Sequence, residues 1–383
     1  MKFRFLKIDL ESKTTYTCHA AQPHSVDFNW LSNNSGQLFN TPVNVSEREM
    51  MLVNRRNNSC EQNCWRAEDA GATSPRMYQG GEEKTHFEIK TQPEIVDLTI
   101  GSDCNLTCSY CCKEFSSSWR RDLTTNGSYS ISNVDKRFEL TTKDQVLMKL
   151  SQTELKSTKH YQLLLEEIKK VAPGLKKLII TGGEPFLDNQ LIDVLAEIPF
   201  SNNIEIQLYT GMGVNSARFE RILEKLKLIK NFYLTVSAEC TDKLHEFNRY
   251  GSSWQDFENK LALLESHRIE YRFQSTLSNL TIFGFVDFAN RFKNKTINVT
   301  FAYQPDMMAP YVLDSASKQA IIEQIQSLPD TMRQPIEQSL LSIPTEKQRQ
   351  NIKKFLNEFV SRREDLDVSI YPKTFLNWID YVV

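Results

Sequence analysis

The stretch SDCNLTCSYCCKEF, residues 102–115, holds Cys104, Cys108, Cys111 and Cys112, half of the eight cysteines in a chain of 383 residues. Cys104, Cys108 and Cys111 stand at C-x3-C-x2-C. They follow a strand-like run directly, where the chain must turn and can wrap its thiolates around an inorganic centre. Iron–sulfur clusters require thiolate ligands, and a four-iron cluster held by three cysteines keeps one iron open. A zinc site is the other reading of the same spacing, with Cys112 or a histidine as fourth ligand of a closed tetrahedral set. The remaining cysteines, Cys18, Cys60, Cys64 and Cys240, also lie in the first 240 residues. Clustering of this kind in a large chain points to metal or redox chemistry and away from a disulfide framework.

The elements that must position this loop are legible as alternation. EIVDLTI (94–100), KKLIIT (176–181), NIEIQLYT (203–210), NFYLTVS (231–237), IEYRFQSTL (269–277) and INVTFAY (297–303) are apolar, β-branched or aromatic runs of strand length. Helical spacing separates them. Tyr161, Leu164, Leu165, Ile168 and Val171 share one face, ended by Pro173-Gly174; Phe219, Ile222, Leu223 and Leu226 repeat it, as do Phe257, Leu261 and Leu264. Strands alternating with helices imply parallel pairing through right-handed crossovers. Six units are too few for an eight-unit barrel, so the expected fold is α/β, a partial (β/α)6 TIM-type barrel with its site at the C-terminal strand ends. A doubly wound sheet is the competing architecture.

The second strand runs into ITGGEPFLD (180–188), where Gly182 and Gly183 permit close backbone approach and Glu184 brings a carboxylate to a strand end. The cysteine motif after the first strand and GGEP after the second closely resemble the radical S-adenosylmethionine superfamily, over roughly residues 94–310. The resemblance implies a 4Fe-4S cluster on Cys104, Cys108 and Cys111, with S-adenosyl-L-methionine chelating the open iron. Reductive cleavage would then give a 5′-deoxyadenosyl radical that abstracts a substrate hydrogen. It further implies cofactor contacts from Tyr110 beside the adenine and from Gly182, Gly183, Glu184 and Pro185 at the methionyl amino group. Ser237 and Arg249, in VSAECTDKLHEFNRYG, and Asn279 are the implied ribose and carboxylate partners.

Residues 1–93 read as a smaller leading domain, and 311–383 as a C-terminal helical extension in which Ile352, Phe355, Leu356 and Phe359 mark an amphipathic helix. In the leading part, Cys18 and the stretch CEQNCW with Cys60, Cys64 and Trp65 resemble the auxiliary-cluster modules called SPASM and twitch. The resemblance implies a second iron–sulfur cluster on Cys18, Cys60 and Cys64, completed by His19, Cys112 or a substrate group. A zinc site and a degenerate remnant of such a module are the alternatives there.

A formal net charge of −2 with no long single-sign run excludes the usual signature of nucleic-acid binding. No stretch approaches the ~18 apolar residues of a membrane span. A cytoplasmic protein is therefore expected, and the resemblance to SPASM and twitch enzymes implies one that acts on a ribosomally made precursor peptide, as a splicease-type maturase does. Its expected partners are an electron donor such as flavodoxin or ferredoxin and a small peptide-recognition protein. The alternatives are a twitch-type radical enzyme on a small molecule and a non-catalytic iron–sulfur or zinc protein.

Overall fold

The computed structural model describes residues 2–53, 55–71, 92–131, 136–142, 158–188, 204–229 and 231–381, with Ser74, Met77, Asp144 and Leu195. In chain order its strands are β1 (Phe5–Asp9), β2 (Thr14–Tyr16), β3 (His24–Ser25), β4 (Ile95–Thr99), β5 (Thr107–Cys108) and β6 (Lys177–Thr181). They continue with β7 (Glu205–Thr210), β8 (Phe232–Ser237), β9 (Arg249–Tyr250), β10 (Tyr271–Leu277) and β11 (Ile297–Phe301). All six runs expected from the sequence are strands. The chain packs as two compact units, one from residues 1–101, 150–208 and 225–232, the other from 102–149, 209–224 and 233–383.

In the first unit the strand order is β3-β2-β1-β4-β6-β7. The sheet is mixed: β1 pairs antiparallel with β2 but parallel with β4, in register from Phe5↔Ile95 to Asp9↔Thr99. Parallel pairing then runs on through β6 and β7. The leading residues thus extend the same sheet instead of forming a sheet of their own, a role that the five-residue FLKID run did not announce. Val96, Leu98, Leu178, Ile180, Ile206 and Leu208 are buried, as strands covered by helices require. The helix Lys159–Val171 buries its expected face. Its N-terminus is capped by the Thr158 hydroxyl, which accepts from the Tyr161 N–H at 3.3 Å. On that helix the buried Glu167 carboxylate accepts from the amides of Gly36 and Leu38 at 2.7 and 3.3 Å, which fastens the leading segment to the sheet's helix.

In the second unit β8, β10 and β11 are parallel neighbours. The helices Trp254–Ser266 and Phe285–Arg291 make the crossovers. A separate two-residue ribbon pairs β5 with β9 antiparallel, Thr107↔Tyr250 and Cys108↔Arg249. Four helices follow β11: Ser315–Gln324, Asp330–Leu340, Glu346–Ser361 and Lys373–Trp378. A capping box of Thr345 and Gln348 starts the third. Its Phe355 and Phe359 join Trp119, Tyr129 and Phe138 in an aromatic cluster with centroids 5.1–6.3 Å apart. The apolar tail packs inward as well, Phe375 against Phe283 at 5.4 Å. The architecture is therefore α/β with a mixed sheet and a C-terminal helical region.

Candidate active site

The cysteine loop leaves β4 and is held by its own downstream serines, in the run SSSW. Ser117 Oγ bonds both the amide and the carbonyl of Cys104 at 3.1 Å, and Ser118 Oγ donates to the same carbonyl at 2.8 Å. Ser116 Oγ donates to the Leu106 carbonyl at 2.8 Å while capping the helix Ser117–Asn126. That helix ends at Gly127, whose φ of 82° lies in the left-handed region that glycine tolerates. Trp119 Nε1 donates to the Cys108 carbonyl at 3.0 Å. Sequence reasoning passed over these serines, although three short hydroxyl side chains before an apolar helix are a recognisable cap-and-turn signal.

On the loop itself, Cys108 is buried and Cys104 and Cys111 are partly exposed. Burial pushes the Cys111 thiol well up, and the neighbouring Cys108, Cys112 and Cys104 push it the same way. The all-thiol donor set fits the chemistry that an iron–sulfur cluster requires. Among the described residues, no three His, Cys, Asp or Glu side chains stand in a metal-holding arrangement. Cys112 is buried, its thiol pushed up to about 12 by burial and by Glu114, which suits packing better than ligation.

Beside the loop lies a buried polar group that the sequence showed only in part. Tyr110 donates its hydroxyl to Glu239 Oε1 at 2.9 Å. The Arg249 guanidinium donates to the Tyr110 oxygen and lies 3.3 Å from Glu239 Oε2. Tyr110 and Arg249 were expected here; Glu239, two residues past Ser237 and fully buried, was not. Burial works against the Arg249 charge, but Tyr110, Cys108, Glu239 and Cys104 more than offset it, so the guanidinium is held well above its usual value. Burial alone raises the Glu239 carboxyl.

Ser237 ends β8, opposite Gln274 of β10. Asn279 follows β10, fully buried, its amide donating to the Met307 and Val312 carbonyls at 3.0 and 3.3 Å. Arg249 Nε and Asn279 Oδ1 are buried and have no hydrogen-bond partner among the described residues. Six other buried side-chain atoms among the described residues share this property, and each carries a desolvation cost unless a ligand or water meets it. A donor on Arg249 suits a carboxylate and an acceptor on Asn279 suits a hydroxyl, so both residues fit S-adenosylmethionine. Cys240 is buried, donating to the Thr281 carbonyl at 3.1 Å.

Gly182–Pro185 belong to the other compact unit. A Cβ on Gly182 would stand 2.9 Å from the Gly101 oxygen and from Ile100 Cγ1, and the Gly183 amide donates to that oxygen at 2.9 Å. The close approach that Gly182 permits is thus to the end of the neighbouring strand. Glu184 is buried and caps the turn Pro185–Leu187, accepting from the Phe186 amide at 3.0 Å.

In the leading segment Cys60 and Cys64 are buried together with Trp65. The Gln22 amide donates to the Ser59 carbonyl at 3.0 Å, which stitches the turn after Cys18 to this segment. Burial raises the Cys60 thiol, Lys2 opposes it and Cys64 adds to it. His19 is occupied at one nitrogen, Nδ1 lying 3.3 Å from Asp97.

Residues 98–287 match the family model described as the Radical SAM superfamily, and the chain belongs to that superfamily. Membership implies S-adenosylmethionine and an iron–sulfur cluster. The chain is similar to a GTP 3′,8-cyclase of Desulforamulus reducens, 26% identical over 155 residues covering 38% of this chain and 47% of the relative. It is also similar to the radical SAM cyclopropyl synthase TigE of Paramaledivibacter caminithermalis, 22% identical over 66% of this chain and 51% of the relative. The chain thus spans about half the length of the curated relatives it matches. Among solved structures, SuiB of Streptococcus suis bound to the precursor peptide SuiA aligns at 13% identity and TM-score 0.36, over 73% of this chain and 61% of that one. The protein anSMEcpe with bound AdoMet aligns at 16% identity and TM-score 0.36, over 54% of this chain and 50% of that one. No helix among the described residues is long and apolar enough to cross a membrane.

Proposed function

We propose that this protein is a radical S-adenosylmethionine enzyme that modifies a peptide, with Cys104, Cys108 and Cys111 as the ligands of its 4Fe-4S cluster. The observation that supports the cofactor reading is the buried group of Tyr110, Glu239 and Arg249 beside the cysteine loop, in which Arg249 Nε has no partner among the described residues. When bound, the cluster and cofactor supply reductive cleavage of the sulfonium to a 5′-deoxyadenosyl radical. The chain's own contribution is positioning. Arg249, set by Glu239 and Tyr110, presents a fixed cation to the cofactor carboxylate. Tyr110 borders the adenine, Ser237 and Asn279 meet the ribose, and Gly182, Gly183, Glu184 and Pro185 receive the methionyl amino group. Glu184, Pro185, Arg249 and Asn279 are buried, which would shield a bound cofactor from water.

The peptide substrate rests on the leading segment, where Cys18, Cys60, Cys64 and Trp65 resemble a twitch or SPASM module. In this reading 1–93 is the module, 94–310 the partial (β/α)6 barrel and 311–383 the helical extension. The three leading cysteines hold an auxiliary cluster, and the chemistry is a tyrosine-derived excision of the splicease kind.

Anaerobic reconstitution followed by dithionite reduction tests the cofactor reading through 5′-deoxyadenosine. Wild type should form it and Cys104→Ala, Cys108→Ala and Cys111→Ala should not. Absence of product from wild type, under conditions that activate a control enzyme, rejects the reading. Mass spectrometry of small peptides co-purified with the chain tests the substrate class: a mass change that depends on Cys108 supports a peptide, and an unmodified peptide pool rejects it.

A further inference from the structure

Residues 211–214, a loop in the same compact unit as the cysteine motif, are held by a buried cation. Lys260, on the helix Trp254–Ser266, is 2% exposed. Its Nζ donates to the Met212 carbonyl at 2.9 Å, to the Val214 carbonyl and to Asp256 Oδ2, so all three ammonium donors are engaged. A buried ammonium is costly, and two of the three acceptors that satisfy this one are carbonyls of a single short loop. The loop itself is strained. Met212 has a φ of 55°, in the left-handed region that a residue other than glycine rarely adopts, and its amide donates to Thr210 Oγ1 at 2.8 Å.

The loop so fixed packs directly on the cysteine motif. A Cβ on Gly213 would stand 2.6 Å from Asn105 Oδ1 and 3.3 Å from Leu106 Cγ. From another side, a Cβ on Gly251, just after β9, would stand 2.9 Å from the Asn105 carbonyl oxygen. Asn105 and Leu106 are therefore clamped between two glycines. They follow Cys104 in the chain, and the Leu106 amide donates to Cys104 Sγ at 3.4 Å. We propose that Lys260 is a positioning residue for this motif: by locking residues 212–214 it fixes Asn105 and Leu106, and so holds the Leu106 amide on the Cys104 sulfur. The inference rests on the reading of Cys104, Cys108 and Cys111 as cluster ligands. An N–H aimed at a ligand sulfur favours the reduced, more negative state, so this hydrogen bond raises the reduction potential. The couple takes one electron from an external reductant, dithionite in the test below; no bond breaks and no proton moves.

The test uses the full chain in two states. In cluster-free protein, hydrogen–deuterium exchange at the Leu106 amide should be about tenfold faster in Lys260→Met than in wild type, while amides of the helix Glu346–Ser361 keep their rates. This arm decides the positioning even if the cluster reading fails, which a wild type without a four-iron cluster would show separately. In reconstituted protein, a dithionite titration followed by electron paramagnetic resonance reads the potential. At the wild-type midpoint Lys260→Met should show a reduced-to-oxidised ratio about tenfold lower, which is about 59 mV for a one-electron couple, with unchanged iron content. Gly213→Ala should move both readings the same way. Adding Asn105→Ala, which removes the side chain that the new Cβ meets, should restore them, so this series decides the matter if Lys260→Met does not fold. Wild-type exchange at Leu106 in Lys260→Met overturns the proposal. So does a wild-type potential in Lys260→Met and Gly213→Ala at full iron content, or an exchange change spread equally over the helix Glu346–Ser361.

Discussion

Arg249 and Glu239 face each other at 3.3 Å with both side chains buried, and Tyr110 donates to the same carboxylate at 2.9 Å. A buried pair of this kind is expensive to break from one side, since the survivor keeps its desolvation cost. Glu239→Gln keeps the shape and an acceptor but strips Arg249 of its countercharge. It should destabilise cluster-free protein by about 2 kcal/mol in urea titrations. Affinity for S-adenosylmethionine, measured by equilibrium dialysis on reconstituted protein, should hold or rise, because Arg249 is left more available to a carboxylate. Arg249→Met should lose about tenfold or more. If Arg249→Met binds as wild type does, the pair is structural only.

Glu184 separates in the same way into a structural and a binding part. Its Oε1 accepts the Phe186 amide at 3.0 Å, a bond that a glutamine oxygen can also accept. Glu184→Gln should therefore fold normally and reconstitute with unchanged cluster absorption. Its cofactor affinity should fall about tenfold, through loss of a charged acceptor for the amino group. Equal affinity would remove Glu184 from the cofactor site.

How much of this was legible in sequence depended on the range of the interaction. The strands and the helix Lys159–Val171 were readable because each announces itself through a local apolar period. Cys104, Cys108 and Cys111 stand out in the sequence as candidates because an iron–sulfur cluster requires thiolates and these three lie at short spacing. Glu239 was not, because its importance lies in facing Tyr110, which is 129 positions away. The parallel pairing of β1 with β4 was also hidden: the two strands are separated by more than eighty residues, and the five residues of β1 do not say which edge they will join. The ion pair of Arg362 with Asp122, at 3.2 Å, likewise joins positions 240 apart.

The leading segment carries its own acid-sensitive element. Glu47 is buried where Lys2 Nζ lies 2.5 Å from Oε2 and His24 Nε2 lies 2.7 Å from Oε1, with the Thr17 hydroxyl donating as well. Burial works against its charge, but the His24 hydrogen bond and then the charge and hydrogen bond of Lys2 outweigh it, holding the carboxyl at about 2 against an ordinary 4.5. A carboxyl held lower in the folded chain than in the unfolded one adds stability that is complete above pH 4.5 and is lost as pH falls toward 2. The size of that term is about 3 kcal/mol. Urea titrations between pH 6 and pH 3 should show wild type losing stability steeply below about pH 4.5. Glu47→Gln should start lower and lose less over the same interval. Parallel curves for the two proteins would assign the acid limb to other groups.

The last prediction concerns Cys60 and Cys64, because they decide whether the leading segment is redox-active or a platform for substrate. Both are buried beside Trp65, and the Cys60 thiol is raised chiefly by that burial, so a buried thiolate there needs a cationic partner. Lys2, which opposes the rise, supplies part of that charge in the folded chain. A metal centre would supply the rest, and hydrogen bonds from the surrounding groups would then tune its potential. Iron analysis of reconstituted protein should give about eight irons per chain, two four-iron clusters, and about four once Cys60 and Cys64 are both replaced by alanine. The double variant should still form 5′-deoxyadenosine, since Cys104, Cys108 and Cys111 are untouched, but should fail to complete modification of the peptide. About four irons in wild type, with or without zinc, would make Cys60 and Cys64 a packed thiol pair. Trp65, whose indole N–H donates to the Asn57 carbonyl at 3.1 Å, and the Glu68-Asp69 pair would then be the first residues to test for substrate contact.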